Sequence, residues 1–197
     1  MTAQTEKDLL PQKDWPDAVE VLNEHGHSDI GLLCEHASNH IPAEYRQLGL
    51  DGSHLKRHIA WDIGAAGVTR LMSGLLDAPA FLGGYSRLLI DLNRPLGSSG
   101  SIPVLSEATE IPGNVGLDAA ERARRAEIMF TPFHGRVAAH LDSRASAGRP
   151  TRIVTQAASR SAWLWKSEVY HLVEKPPHTV TSFDSLNENT TRRTIGR

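Results

Sequence analysis

A chain of 197 residues, 40% hydrophobic and 22% charged, has the composition of one ordinary globular domain with a sizeable core. Its formal net charge of -2 gives no electrostatic reason to expect nucleic acid or an anionic membrane as partner. No apolar run approaches the roughly 18 residues that span a bilayer. The N-terminus lacks the apolar core of a secretory signal, and Cys34 is the only cysteine, so the expected location is cytoplasmic and disulfide-free.

In chain order, residues 1–18 are polar and hold Pro11 and Pro16; they read as a loose lead-in, with Trp15 able to pin it to the body. Residues 17–28 carry a brief apolar pattern at Val19, Val21 and Leu22 that does not choose between helix and strand. The apolar run Ile30-Gly31-Leu32-Leu33-Cys34 predicts a buried strand over about 29–35. Leu55, Ile59, Ile63, Val68, Leu71, Leu75 and Leu76 recur at helical spacing, predicting an amphipathic helix from Ser53 to Leu76, interrupted at Gly64. Residues 80–83 and 86–92 read as two short strands about a bend at Gly83-Gly84. The Pro- and Gly-rich stretch from Asn93 to Asn114 reads as a long loop without regular elements, of the sort that carries function. Asp118-x-x-Glu121 is a capping-box pattern opening a second long helix, kinked at Pro132 and ending near Gly148. Residues 151–155 predict another strand. Beyond Gln156 neither period is evident, no further strand is found, and the polar last turns of sequence read as a poorly ordered tail.

Three clusters could do chemistry. Glu35-His36, with Asn39 and His40, stands where the first predicted strand ends. In open α/β sheets that edge is where ligands bind, and imidazole plus carboxylate is the donor set of a catalytic zinc. The plain alternative is a polar loop with a satisfied histidine. His58 and Asp62, four apart on the predicted helix, could be two ligands or a histidine oriented by a carboxylate; the alternative is a surface pair. Arg87 and Asn93-Arg94 flank a predicted strand, and a guanidinium forks onto a carboxylate with two parallel bonds. The alternative is a structural pair with Asp91. His134 and His140, six apart, read as ordinary helix residues on different faces. Trp163, Trp165 and Tyr170 read either as an exposed apolar patch or as core filler. There is no glycine-rich phosphate loop, Cys-x-x-Cys or Gly-x-Ser-x-Gly.

LLCEHASNHIP, HIAWDIGA, YSRLLIDLNRP and IPGN, in this order and spacing, resemble the N-formylglutamate amidohydrolase family over about residues 19–154. The resemblance implies an α/β fold, a three-layer α/β/α sandwich of phosphorylase/hydrolase type, related to the zinc-dependent exopeptidases. It implies hydrolysis of a linear amide C–N bond: N-formyl-L-glutamate, or a similar small acidic N-acyl amino acid, cleaved to formate and the amino acid in histidine degradation. By the same resemblance, His36 and Asp62 are metal ligands for zinc, Glu35 is the catalytic carboxylate beside them, and Arg87, Asn93 and Arg94 hold the substrate carboxylates.

The resemblance also implies a His-Ser-Phe motif after the Thr151–Thr155 strand and a later Glu-Ile-Arg segment. Here the chain reads Thr155-Gln156-Ala157-Ala158-Ser159, and the second segment is not found. Residues 19–155 are therefore expected to form the amidohydrolase-like domain. Residues 156–197 are expected to be an atypical tail, as a truncation or shifted frame would leave, and the sandwich to be incomplete at that end. The alternative reading is an inactive remnant, or a small-molecule or metal-binding protein of the same fold, lacking the C-terminal zinc ligand. The spacing of His171 and His178 does not mark either as a replacement.

Overall fold

The computed structural model describes residues 15–149 and 151–155. The readings for residues 1–14 and 156–197, including Trp163, Trp165, Tyr170, His171 and His178, lie outside the described residues.

The elements run β1 (Val19–Leu22), β2 (Ile30–Cys34), α1 (Ala65–Leu76), β3 (Ala80–Gly83), β4 (Leu105–Ser106), β5 (Thr109–Glu110), α2 (Ala119–Arg125), α3 (Thr131–Ser146) and β6 (Arg152–Thr155). One mixed sheet has the order β1-β3-β2-β6. β2 is parallel to both neighbours, Leu32 lying opposite Ala80 and Val154, while β1 joins β3 antiparallel with Val21 opposite Phe81. A strand covered on both faces reads as a continuous apolar run, which is why β2 and β3 stand out in the sequence.

Alternation along the strands divides the core. Leu33, Phe81 and Ile153 join Phe133, Val137 and Leu141 of α3; Leu32, Cys34, Ala80 and Leu82 join Ala65 of α1. Helices thus cover both faces, giving the expected α/β/α layering. Cys34 is a buried free thiol. Among the described residues no helix is long and apolar enough to cross a membrane.

Four local expectations need correction. The ambiguous stretch around Val19 is an antiparallel edge strand, too short and too exposed to show a period. The helix expected from Ser53 begins only at Ala65: Gly64 takes φ 86 at its N-terminus, and Ala65 N donates to Asp62 O at 3.0 Å. His58 and Asp62 therefore share no helix face. Residues 86–92 are turn rather than strand. Their buried polar groups are met by distant side chains instead of a ladder, Asn114 Nδ2 donating to Leu88 O at 2.7 Å and Arg125 Nη1 to Leu89 O at 3.1 Å. The loop 93–114 is not featureless either, since it holds the β4–β5 hairpin and a 3-10 turn at Pro112–Asn114.

The second long helix starts as expected, Asp118 accepting from Glu121 N–H at 2.8 Å. Its irregularity is a π turn over Ala126–Phe130, just before Pro132, which sits in the first turn of α3 where a missing N–H costs least. Trp15 packs against the body, its ring centroid 5.9 Å from those of Tyr45 and Tyr85.

Where β2 and β3 end, the backbones nearly touch. A Cβ at Gly83 would fall 2.4 Å from Glu35 O and 2.8 Å from Leu92 Cδ1. Only a residue without a side chain lets the strand end and the 86–92 turn close on each other.

Candidate active site

β2 delivers Glu35 and His36 to the carboxyl end of the parallel strands. The turn before α1 brings Asp62, tied in by its own N–H donating to His36 O at 3.0 Å. The 86–94 segment supplies Arg87, Asp91 and Arg94 from the other side. His36, Asp62 and Asp91 are each 5% exposed or less.

The imidazole lies between two carboxylates. His36 Nδ1 is 3.3 Å from Asp62 Oδ2 and Nε2 is 2.7 Å from Asp91 Oδ1. Arg87 bridges the same pair, Nη2 at 2.8 Å from Asp91 Oδ2 and Nη1 at 3.5 Å from Asp62 Oδ1. Arg94 Nε is 3.5 Å from Asp91 Oδ2, and Asn93 N donates to Asp91 Oδ1 at 2.9 Å.

These contacts set the protonation states. Burial alone would push the His36 imidazolium down, but the charge of Asp91 and the hydrogen bonds to Asp62 and Asp91 hold it up at about 9. Burial likewise acts against the Asp91 carboxylate, yet His36 and Arg87 hold it well below the usual range. Glu35 goes the other way: burial raises its pKa and the attraction of His36 only partly offsets this.

Zinc takes imidazole nitrogen and carboxylate oxygen, and His36 and Asp62 are adjacent donors of those types. Each ring nitrogen also faces a carboxylate, so a metal on one would leave the other held by its Asp. Among the described residues no group of three or more His, Cys, Asp and Glu is set to hold a metal ion. The pair has donors of the right chemistry and is short of the three protein ligands a catalytic zinc takes.

Of the residues singled out in the sequence, the fold gathers His36, Asp62, Arg87 and Arg94 into one cluster, with Asn93 joining through its backbone. Glu35 adjoins it. Arg87 makes the Asp91 pair that was the alternative to substrate binding. His58 is elsewhere, exposed and 2.7 Å from Glu107. Asn39 Nδ2 donates to Leu55 O at 2.9 Å, a loop brace, and His40 stacks obliquely near Tyr85. His134 Nε2 is 2.9 Å from Leu92 O, so it helps seat the site loop. The residue whose place in the site sequence reasoning missed is Asp91, weighed there only as an arginine's partner, which meets His36, Arg87 and Arg94 together. An acid closing the apolar run Leu88-Leu89-Ile90 was its one visible signal.

A family model described as N-formylglutamate amidohydrolase matches residues 29–166, so the match continues past Val154, where the sequence reading ended the resemblance. A crystal structure of an Agrobacterium tumefaciens gene product is similar at TM-score 0.70 and 44% identity, over 71% of this chain and 56% of that one. The N-formylglutamate amidohydrolase of Ralstonia eutropha shares the fold at TM-score 0.50 and 14% identity, over 70% of this chain and 55% of that one. No curated protein matches. The chain spans little more than half the length of these two solved relatives.

Proposed function

The chain belongs to the N-formylglutamate amidohydrolase family, and on that premise we propose that it is built to hydrolyse, with a divalent metal, the N-formyl or N-acyl amide of an acidic amino acid. N-formyl-L-glutamate is the substrate that fits the family best. The observation that carries the reading is a buried imidazole set between Asp62 and Asp91 at the carboxyl end of parallel strands, with Arg87 on both carboxylates and Arg94 on Asp91.

His36 and Asp62 would hold the metal. A bound zinc ion would supply Lewis acidity toward the amide carbonyl and a water of lowered pKa. Asp91 keeps the imidazole in place through Nε2, and Arg87 locks the two carboxylates to each other. Glu35, whose pKa burial raises, would give a proton to the departing amine nitrogen as the C–N bond breaks and recover one from the water that adds to the carbonyl carbon. Arg87 is committed to Asp62 and Asp91. Arg94, whose side chain is 28% exposed, is therefore the better candidate to fork onto a substrate carboxylate, next to Asn93.

A second reading, a binding protein of this fold without catalysis, is favoured by the incomplete donor set among the described residues. Zinc titration of the metal-stripped full chain, followed by a formate-release assay on N-formyl-L-glutamate, separates the two. One-to-one binding and formate release, both lost in His36→Ala, are expected. Binding without release favours the second reading, and neither signal in the parent chain defeats the proposal.

A further inference from the structure

Residues 91–101 form a loop whose two ends are tied together. Asp91 N donates to Ser101 O at 2.7 Å, and Ser101 is buried. Within the loop, Ser98 N donates to Pro95 O at 2.9 Å and Ser101 N to Ser98 O at 3.1 Å. The Ser101 hydroxyl faces the carbonyls of Leu96 and Ser98 at 3.0 and 2.9 Å. The loop is thus fastened by its own polar groups, and its closing bond is made at the residue that contacts His36. Arg94 lies inside it, its N donating to Asp91 O at 3.2 Å and its Nε 3.5 Å from Asp91 Oδ2.

Two glycines of this loop differ in what surrounds them. Neither takes a left-handed φ, so the backbone demands glycine at neither position. Among the described residues, a Cβ at Gly97 would meet nothing within 4 Å. A Cβ at Gly100 would fall 3.0 Å from Arg94 Cδ, 3.0 Å from Nη1 and 3.2 Å from Nε, and these are its nearest neighbours. The guanidinium of Arg94 therefore rests on the Gly100 backbone with Asp91 beside its Nε. A methyl group at position 100 would shift the end of a flexible side chain by a few tenths of an ångström and leave the loop in place. A guanidinium fork onto a carboxylate works over about 2.7–2.9 Å and tolerates little displacement. We propose that Gly100 is a positioning residue: it seats the Arg94 guanidinium and so sets where an acidic N-acyl amino acid lays its carboxylate. The inference rests on the role given to Arg94 in the proposed function, and not on whether the amide is then hydrolysed.

The test is calorimetric titration of the metal-stripped full chain with N-formyl-L-glutamate, which reads the seat without requiring turnover. Gly100→Ala should weaken binding about tenfold. Gly97→Ala should change it by less than about twofold, and urea midpoints should be unchanged in both variants. In a chain already carrying Arg94→Ala, adding Gly100→Ala should change binding by less than about twofold, since the group it displaces is gone. Unaltered binding in Gly100→Ala overturns the proposal. A full tenfold loss in the Arg94→Ala background overturns it too, because the glycine then acts on the loop and not on the arginine. Should Arg94→Ala leave no binding to measure, the NMR signal of the Arg94 Nε–H, assigned by its loss in that variant, decides. A shift in Gly100→Ala but not in Gly97→Ala supports the seat, and an unmoved signal refutes it. No binding in the parent chain removes the seat and the proposal with it. The expected pattern in a chain that releases no formate with zinc defeats hydrolysis and leaves the seat standing.

Discussion

Arg125 and Arg87 hold the 86–92 turn from two sides, and they use their charge differently. Arg125 is 1% exposed and spends its donors on the Leu89 carbonyl, the Asn114 side-chain oxygen at 2.8 Å and a single carboxylate, Glu121, at 2.8 Å. Most of its partners are neutral groups whose state does not change with pH. Arg87 meets Asp62 and Asp91, which in turn meet a histidine: nearly every group there is ionisable and every charge is balanced by another. The first arrangement fixes a backbone. The second fixes a balance of protons and charges that a ligand or a change of pH can tip, which is what a reaction centre needs and a brace does not.

Removing one member from each network should separate these roles. Asp91→Ala leaves His36 and Arg87 buried without their shared partner, and a loss of about 3–5 kcal/mol is expected in urea unfolding. Zinc affinity and any formate release should fall with it. Arg125→Met strands the Asn114 oxygen and the Leu89 carbonyl and should cost roughly 2–4 kcal/mol, but zinc affinity measured where the chain is still folded should be retained. If Arg125→Met damages zinc binding as badly as Asp91→Ala, the distinction between brace and reaction centre fails.

The pH response of the metal-free chain should belong to one network only. His36 has a folded pKa of about 9, above its ordinary 6.5. Its contribution is therefore complete below pH 6.5 and is lost as pH rises through 9, a decline on the order of 3 kcal/mol. Asp91 has the opposite sign: its depressed pKa gives stability above the ordinary carboxylate range that is lost as pH falls through that range and below. Urea midpoints followed across pH should show the alkaline decline in the parent chain and not in His36→Gln, whereas Arg125→Met should keep it. The smallest effect is at a local cap: Asp118→Ala removes a helix cap and should cost about 1 kcal/mol in urea unfolding at neutral pH.

How much of this was legible in the sequence follows from the range of the interactions. β2, β3 and β6 are runs whose burial is written in their own residues. The cap at Asp118 is local too. The 86–92 turn looked like a strand because its apolar residues are buried, but what satisfies its backbone comes from Asn114 and Arg125, too distant in sequence for any short window to register. Asp62 lies in the turn before Gly64 because the helix begins only at Ala65, so its partner is His36 and not His58. Glu35, His36, Asp62, Arg87 and Arg94 were recognised as chemical types, and the fold gathered them. Asp91 was noticed only as an arginine's counter-charge, because nothing in the sequence says that a histidine 55 residues earlier lies against it.

Gly83 lies outside the chemistry yet constrains it. It sits between the Glu35 carbonyl and the Leu92 side chain, each one residue from a member of the His36–Asp91 pair. A methyl group there would act as a wedge at the joint, forcing the strand that carries His36 away from the turn that carries Asp91. The 2.7 Å contact between them is thus a spacing held by an absent side chain. Variation at this position would alter the site's dimensions while leaving every reactive group unchanged, so the geometry of the centre is encoded partly in a residue that can neither bind nor react.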